Sequence, residues 1–452
     1  MAPPLPETPP LCITGGTLLT LDERATVLRD NDLLIRDGRI AAVGKRLALP
    51  ADVRRIDGRD HLVLPGLVQG HVHLGQTLFR GLAEERRLLA WLRERIWPLE
   101  AAHDDGSARA SALLGAAELL LGGTTTVQEI GLGPGVEGLL EGIAESGLRA
   151  VAGKCLMDTG EGMPAGLAEP ASRTLTHAVR LGEVLDRSGN GRLRPVLNPR
   201  FALSCSEGLW REIATVARDK GWPVHTHALE QREETRAVRA LFGGRDEIEA
   251  FHEFGILEQD LRVAHGVWIR GRHLPRLAAG RFGVVHCPSS NLKLGSGIAP
   301  VARLRRAGIP VGVGADGAPC NNRLDGWTEI RLASQLAALR GGPGSLPGLE
   351  ALRLATSEGA RVLGLEREIG SLEIGKRADV VVLELADPSL VASEAADPHD
   401  LVAFGASPAA VRHVAIDGEL LVEDRRLTRL DLRRIRSDAQ LQARVLLDRA
   451  RL

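Results

Sequence analysis

The sequence predicts an α/β fold: a (β/α)8 barrel of the TIM type carrying a small split β-sandwich domain formed by the N- and C-terminal segments. Two observations predict it. Between residues 65 and 366, eight short apolar runs alternate with long amphipathic segments, the rhythm of buried parallel strands separated by helices. The two ends of the chain share a different texture, with short strands, Asp-Gly turns and little helix. The length of 452 residues suits one barrel of roughly 250 residues plus a satellite domain.

In chain order, residues 1–10 (MAPPLPETPP) are a Pro-rich tail. Residues 11–64 form the first part of the β domain: LCITGGTLLT, then DLLIRDGRIAAVG around the turn Asp37-Gly38, then HLVLPG. The barrel runs over 65–366 are LVLPGLV, TTTVQEI, LRAVAGKCLM, LRPVLNP, WPVHTH, LRVAH, RFGVVHC and IPVGVGAD. Residues 367–428 return to the β domain with GSLEIGKRADVVVLEL and with VRHVAIDGELLVE around Asp417-Gly418. Residues 429–452 read as a charged C-terminal helix.

Bulk properties narrow the function. With 44% hydrophobic and 25% charged residues, a large core is expected and disorder is not. A net charge of -1 gives no basic excess for a nucleic-acid backbone. The five cysteines are scattered and never spaced CxxC, which argues for a reducing compartment and against a Cys-ligated zinc. No signal peptide and no run of ~20 apolar residues is recognisable, so the expectation is a cytoplasmic protein with no membrane partner. The Gly-rich GLGPGVEG lacks the spacing of a dinucleotide or phosphate loop. The chain has no Tyr, so no Tyr acid or base is available.

The chemistry concentrates at the ends of the runs. Run one ends in His71-Val72-His73, run five in His225-Thr226-His227, run six in His265, run seven in His286 and run eight in Asp316. Strand C-termini of a barrel converge on one mouth, where its active site lies. His71 and His73 are two apart on a strand, so both rings face one way and can grip one ion. With one of His225 and His227, and Asp316, they make a three-His, one-carboxylate set with room for a water. Spacing does not choose between His225 and His227. Such a set suits one Zn2+ per chain, with iron as the other candidate. Glu230 stands where a carboxylate can pass a proton from that water to a substrate, and His265 where an imidazole can orient it. The plainer reading of Glu230 is a solvated helix-start residue. His286 is expected to orient the seventh-strand turn without binding metal, because a fifth protein ligand crowds out the water.

Together, LPGLVQGHVHLGQTLFRG (64–81), HTHALE (225–230), VAHG (263–266), HCPSSNLKLGSGIAPV (286–301) and VGADGAPCNN (313–322) resemble the amidohydrolase superfamily, and within it the cytosine/adenosine-type aminohydrolases. The resemblance covers about residues 11–425. It implies His227 as the run-five ligand and Glu230 as proton carrier. It also implies a mononuclear site: run four has no Lys to bridge two metals, and Lys154, in run three, is taken as structural. Catalytic roles then fall to Glu230, His265 and Asp316, and metal binding to His71, His73, His227 and Asp316.

For the substrate, RGLAEERRLLAWLRERIWPLE (80–100) resembles the loop of S-adenosylhomocysteine, methylthioadenosine and 5′-deoxyadenosine deaminases, where the Glu matching Glu100 binds the ribose hydroxyls. Trp91, Trp97 and Pro98 keep register in that loop. Arg200 in NPRFALSC and Gln76 resemble guanine deaminases, whose Arg contacts a purine carbonyl; Gln76 recurs in triazine hydrolases. Cys320 stands where some nucleoside deaminases place a Ser. The implied activity is hydrolytic deamination of an adenosine-like nucleoside by a homo-oligomer. Guanine or another oxopurine deaminase ranks second and a triazine-type hydrolase third. An inactive barrel scaffold, the non-enzymatic alternative, would lack ligands that are all present here.

Overall fold

The computed structural model describes residues 9–187, 191–393 and 395–452. Most of the predicted tail, residues 1–8, lies outside the described residues. The fold is α/β, and each of the eight apolar runs contributes a strand. In chain order these are Leu67–His73, Thr124–Glu129, Arg149–Ala152 continuing as Cys155–Leu156, Leu193–Pro195 continuing as Asn198–Pro199, Val224–Ala228, Leu261–His265, Phe282–His286, and Val311–Val313 continuing as Asp316–Gly317.

Every pairing among them is parallel. Single parallel bridges, Leu197 to Val224 and Phe201 to His227, join the fourth run to the fifth strand. Val311–Val313 pairs with the seventh strand, and Asp316–Gly317, in the same run, pairs with the first. Gly314 permits that crossing: a Cβ there would lie 2.5 Å from the His71 carbonyl oxygen. The strands are buried on both faces, as a parallel sheet covered by helices requires. Helices such as Asp105–Leu121, capped by Asp104, and Glu207–Lys220, capped by Ser206, return the chain between strands.

A second sheet of nine strands joins the two ends of the chain. From the N-terminal side come Leu11–Leu19, Val27–Arg36, Arg39–Gly44, Arg54–Asp57 and His61–Pro65, and from the C-terminal side Val380–Glu384, Val411–Ile416, Glu419–Glu423 and Arg426–Leu427. His61–Pro65 runs antiparallel to Val380–Glu384 and ties the halves together. Both predicted Asp-Gly turns have left-handed φ at each residue (+52° and +72°; +49° and +71°), as tight two-residue hairpins demand. Two details differ from the sequence expectation. The run LVLPGLV is divided at Gly66, its first half in this sheet and its second half the first parallel strand. The segment 370–379 is irregular, and its strand begins only at Val380.

Buried ion pairs lock this sheet to the base of the parallel strands. Arg149 forks onto Asp379 (2.8 and 2.9 Å) and reaches Asp417 (2.7 Å), which also receives Arg192 (2.9 Å) and Arg377 (2.9 Å). Burial raises the Asp417 carboxyl, but Arg149 and Arg192 outweigh it and hold the group at about 2. Arg149→Ala strands the buried Asp379 carboxylate while Asp417 keeps Arg192 and Arg377, so a loss of about 3–5 kcal/mol in stability is expected by urea unfolding. Among the described residues no helix is long and apolar enough to cross a membrane.

Candidate active site

The C-terminal strand ends converge as expected. Ligand atoms of His71, His73, His227 and Asp316 all lie within 4.8 Å of one another, and all four residues are buried or nearly so. His71 Nε2 and His73 Nε2 approach Asp316 Oδ1 at 3.3 and 3.2 Å, and His73 Nε2 faces His227 Nε2 at 3.1 Å. Asp316 and His265 sit in the left-handed region, φ +61° and +71°, as does Leu229 at +55°. Such residues cost on the order of 1 kcal/mol each and cluster where side chains must be aimed at a site.

Tautomers are set from behind. His225 Nδ1–H is directed at the Arg262 carbonyl (3.1 Å), so its Nε2 accepts from His71 Nδ1–H (2.8 Å) and His71 Nε2 carries a lone pair. His227 Nδ1–H donates to the Arg200 carbonyl (2.6 Å), which leaves its Nε2 lone pair facing inward too. His225 is thus an orienting partner outside the four-residue group. Burial drops the His71 ring to about 4 and His227 well below the ordinary imidazole range, so both are neutral donors. Burial would raise Asp316, but the bonds and charges of His71 and His73 hold its carboxyl well below the usual range. His71 Nε2 is buried without a well-formed hydrogen bond. Lone pairs turned toward a buried carboxylate repel it unless a cation lies between, so this donor set fits a divalent metal ion.

The opposite side of the same hollow holds Glu230 and His265. Glu230 Oε1 accepts from Ser296 Oγ (2.9 Å), and its Oε2 lies 3.5 Å from His265 Nε2. Burial raises the Glu230 carboxyl, with His265 acting against it. His265 Nδ1–H donates to Asn291 Oδ1 (2.9 Å), freeing Nε2, which is 3.8 Å from Asp316 Oδ2; Ser290 Oγ donates to that same oxygen (2.6 Å). Sequence reasoning missed the roles of His225, Ser290, Asn291 and Ser296. Ser290 and Asn291 lie in the short helix Pro288–Lys293 and Ser296 just beyond it; they are small polar residues that only spatial proximity distinguishes.

His286 lies outside the ligand group, its Nδ1 3.5 Å from Asn291 Nδ2. His286→Ala should therefore retain stoichiometric metal by elemental analysis; loss of the ion would make it a ligand. Lys154 is buried and pairs with Glu169 (3.4 Å).

The hollow has room for ≈ 20 Å3, lined by His73, His227 and Asp316, by Glu230, Glu234 and His265, and by Arg200, Phe201 and Leu294, and roofed by Leu88, Trp91 and Leu92. Glu100 and Arg200, rival substrate contacts in the sequence, form one buried ion pair (2.6 Å). Glu100 Oε1 meanwhile accepts from the Gln76 amide (2.8 Å), whose nitrogen lies 3.1 Å from His73 Nδ1. Glu100 and Gln76 thus stand one layer behind the lining. Trp97 and Cys320, expected beside the substrate, also lie outside it: Trp97 packs in an apolar cluster with Phe79 and Leu99, and Cys320 Sγ donates to the Gly317 carbonyl (3.1 Å).

Known proteins resemble this chain over nearly its whole length. The profile of the amidohydrolase family matches residues 62–421. The 5-methylthioadenosine/S-adenosylhomocysteine deaminase of Haloarcula marismortui is 36% identical over 447 residues, 97% of this chain and 99% of that protein. The 5′-deoxyadenosine deaminase of Methanobrevibacter smithii is 34% identical over 427 residues, 93% and 95% of the two chains. Among solved structures, an adenosine deaminase from Xanthomonas campestris with bound zinc superposes with a TM-score of 0.88, 28% identity and 98% coverage of both chains.

Proposed function

The chain belongs to the amidohydrolase family, and on that premise we propose that it is a metal-dependent hydrolytic deaminase of adenosine-like nucleosides. Its substrates are 5′-deoxyadenosine, S-adenosylhomocysteine or methylthioadenosine, converted to the inosine analogue and ammonia. The observation that carries this reading is one hollow with a four-residue ligand set on one side and a buried proton carrier, Glu230, on the other.

His71, His73, His227 and Asp316 would hold the ion, and we assign zinc, one per chain. Bound there, a divalent ion would supply a Lewis acid able to bring the pKa of a water toward neutrality. Asp316 and His265 take up the proton as the water adds to the purine carbon bearing the exocyclic amine. Ser290 fixes the Asp316 carboxylate, and Asn291 fixes the His265 tautomer for this task. Glu230 donates its proton to the adjacent ring nitrogen, which removes negative charge from the ring as the carbon becomes tetrahedral. The stored proton moves to the amine and the C–N bond breaks; ammonia leaves as the new hydroxyl gives its proton to Glu230, which forms the carbonyl and restores the acid. Entry of a nucleoside, which needs a pocket of several hundred Å3, requires the roof of Leu88, Trp91 and Leu92 to withdraw.

One observation favours a second reading, deamination of guanine or another oxopurine. Both Glu100 oxygens are already bonded, and the Arg200 guanidinium in the lining offers donors to a carbonyl. Glu100→Gln separates the two. If the carboxylate is released to a ribose, KM for the nucleoside rises about 10-fold or more with kcat little changed, a loss of uniform binding. If it serves only Arg200, KM for nucleoside and base move together.

We also read the parallel strands as a closed barrel over 65–366, with the nine-stranded sheet as a β-sandwich; the ring of pairings that ends at Asp316–Gly317 supports the first part. A homo-oligomer completes the proposal, to be measured by light scattering. Hydrolysis itself is tested by running the reaction in 18O-water: one labelled oxygen in the product per ammonia released is expected, and unlabelled product would contradict it.

A further inference from the structure

Two further buried carboxyl groups accompany Glu230, and one of them, Glu234, also lines the hollow. Glu234 is in the first turn of the helix Arg232–Leu241, and Glu247 opens the helix Glu247–Glu253. Their exposures are 1% and 0%. Glu234 Oε2 accepts the backbone N–H groups of Glu230 (2.8 Å) and Gln231 (3.2 Å), so it pins the strand-end loop that aims Glu230. Thr235 Oγ donates to Glu247 Oε1 (3.1 Å) and ties the two helices together. The remaining oxygens, Glu234 Oε1 and Glu247 Oε2, are buried with no hydrogen-bond partner.

The charges facing this pair are few. Glu247 and Glu230 act on Glu234, and Asp246 and Arg239 act on Glu247. Arg239 is turned to Asp246 (3.5 Å), which also holds Arg272 and His273. Among the described residues, neither Glu234 nor Glu247 has an ion-pair partner. Two buried carboxylates with no paired cation repel, and a proton on one of them removes that repulsion.

We propose that Glu234 is a positioning residue for Glu230, and that it acts as half of an acid pair with Glu247 that shares one proton. The first half of the proposal rests on the reading of Glu230 as proton carrier; the second half does not. Burial pushes Glu247 up to about 7, and burial together with the Glu247 charge pushes Glu234 well above the usual carboxylate range. A raised folded-state value means that the protonated pair stabilises the fold fully below the ordinary value of 4.5, and that this contribution fades as pH rises through about 7.

Two measurements test it. Thermal unfolding of the full chain is followed from about pH 5 to about pH 8 for the wild type and Glu247→Gln. The wild-type folding constant should fall at least ~10-fold more steeply, because the variant has lost the shared proton; parallel curves overturn the acid pair. In kinetics, Glu234→Ala should lower kcat about 10²-fold with KM and metal content within about two-fold. Glu234→Gln should restore kcat, since its amide oxygen accepts the same two N–H groups. Equal damage in Glu234→Gln and Glu234→Ala overturns the positioning role, as does full activity in Glu234→Ala when Glu230→Gln is inactive. Full activity in Glu230→Gln instead overturns the reading of Glu230 itself.

Discussion

Glu230→Gln is expected to lower kcat by about 10²–10⁴-fold while metal content stays at the wild-type level. The side chain is buried, its Oε1 bonded by Ser296 and its Oε2 beside His265. A Gln keeps the volume and the bond from Ser296 but carries no transferable proton. Burial raises the Glu230 carboxyl, which favours the protonated form needed by a group that must donate to a ring nitrogen. Steady-state kinetics with elemental analysis checks this. Wild-type kcat with metal bound would remove Glu230 from the chemistry.

Asp316→Ala is expected to be more severe, abolishing both stoichiometric metal and ammonia release. Asp316 is the one carboxylate in the ligand set, and three imidazoles remain without it. Losing a residue that merely supports a ligand costs ~10–100-fold in affinity or activity, so losing the carboxylate ligand should exceed that range. A chelator should lower the melting temperature of the wild type, because an ion bound only to the folded state stabilises it, ~4 kcal/mol at a thousandfold excess over Kd. The same chelator should leave Asp316→Ala unmoved. A metal-replete Asp316→Ala would mean that the ion sits elsewhere.

The residues at the mouth were legible because an apolar run ending in His or Asp names a strand end, and strand ends of a parallel α/β fold share one side. The HxH spacing alone places His71 and His73 on one face. His225 was not separable from His227, because both face inward; the difference lies in depth along the strand, where His225 meets the Arg262 carbonyl from the neighbouring strand. Glu100 and Arg200 are a hundred residues apart, and nothing local says that each neutralises the other. The apolar run LVLPGLV hid a boundary, since both halves are equally buried and only their pairing partners differ. Nothing in the sequence singles out Glu234, since carboxylates are common at helix starts; its burial and its bond to the Glu230 backbone exist only in the folded chain.

The central claim is tested most directly by ammonia release from metal-loaded protein given 5′-deoxyadenosine, S-adenosylhomocysteine and methylthioadenosine, with guanine in a parallel reaction. Turnover of at least one nucleoside, abolished by Asp316→Ala and absent with guanine, is the predicted result. Turnover of guanine alone would contradict the account and make the hollow an oxopurine pocket gripped by Arg200.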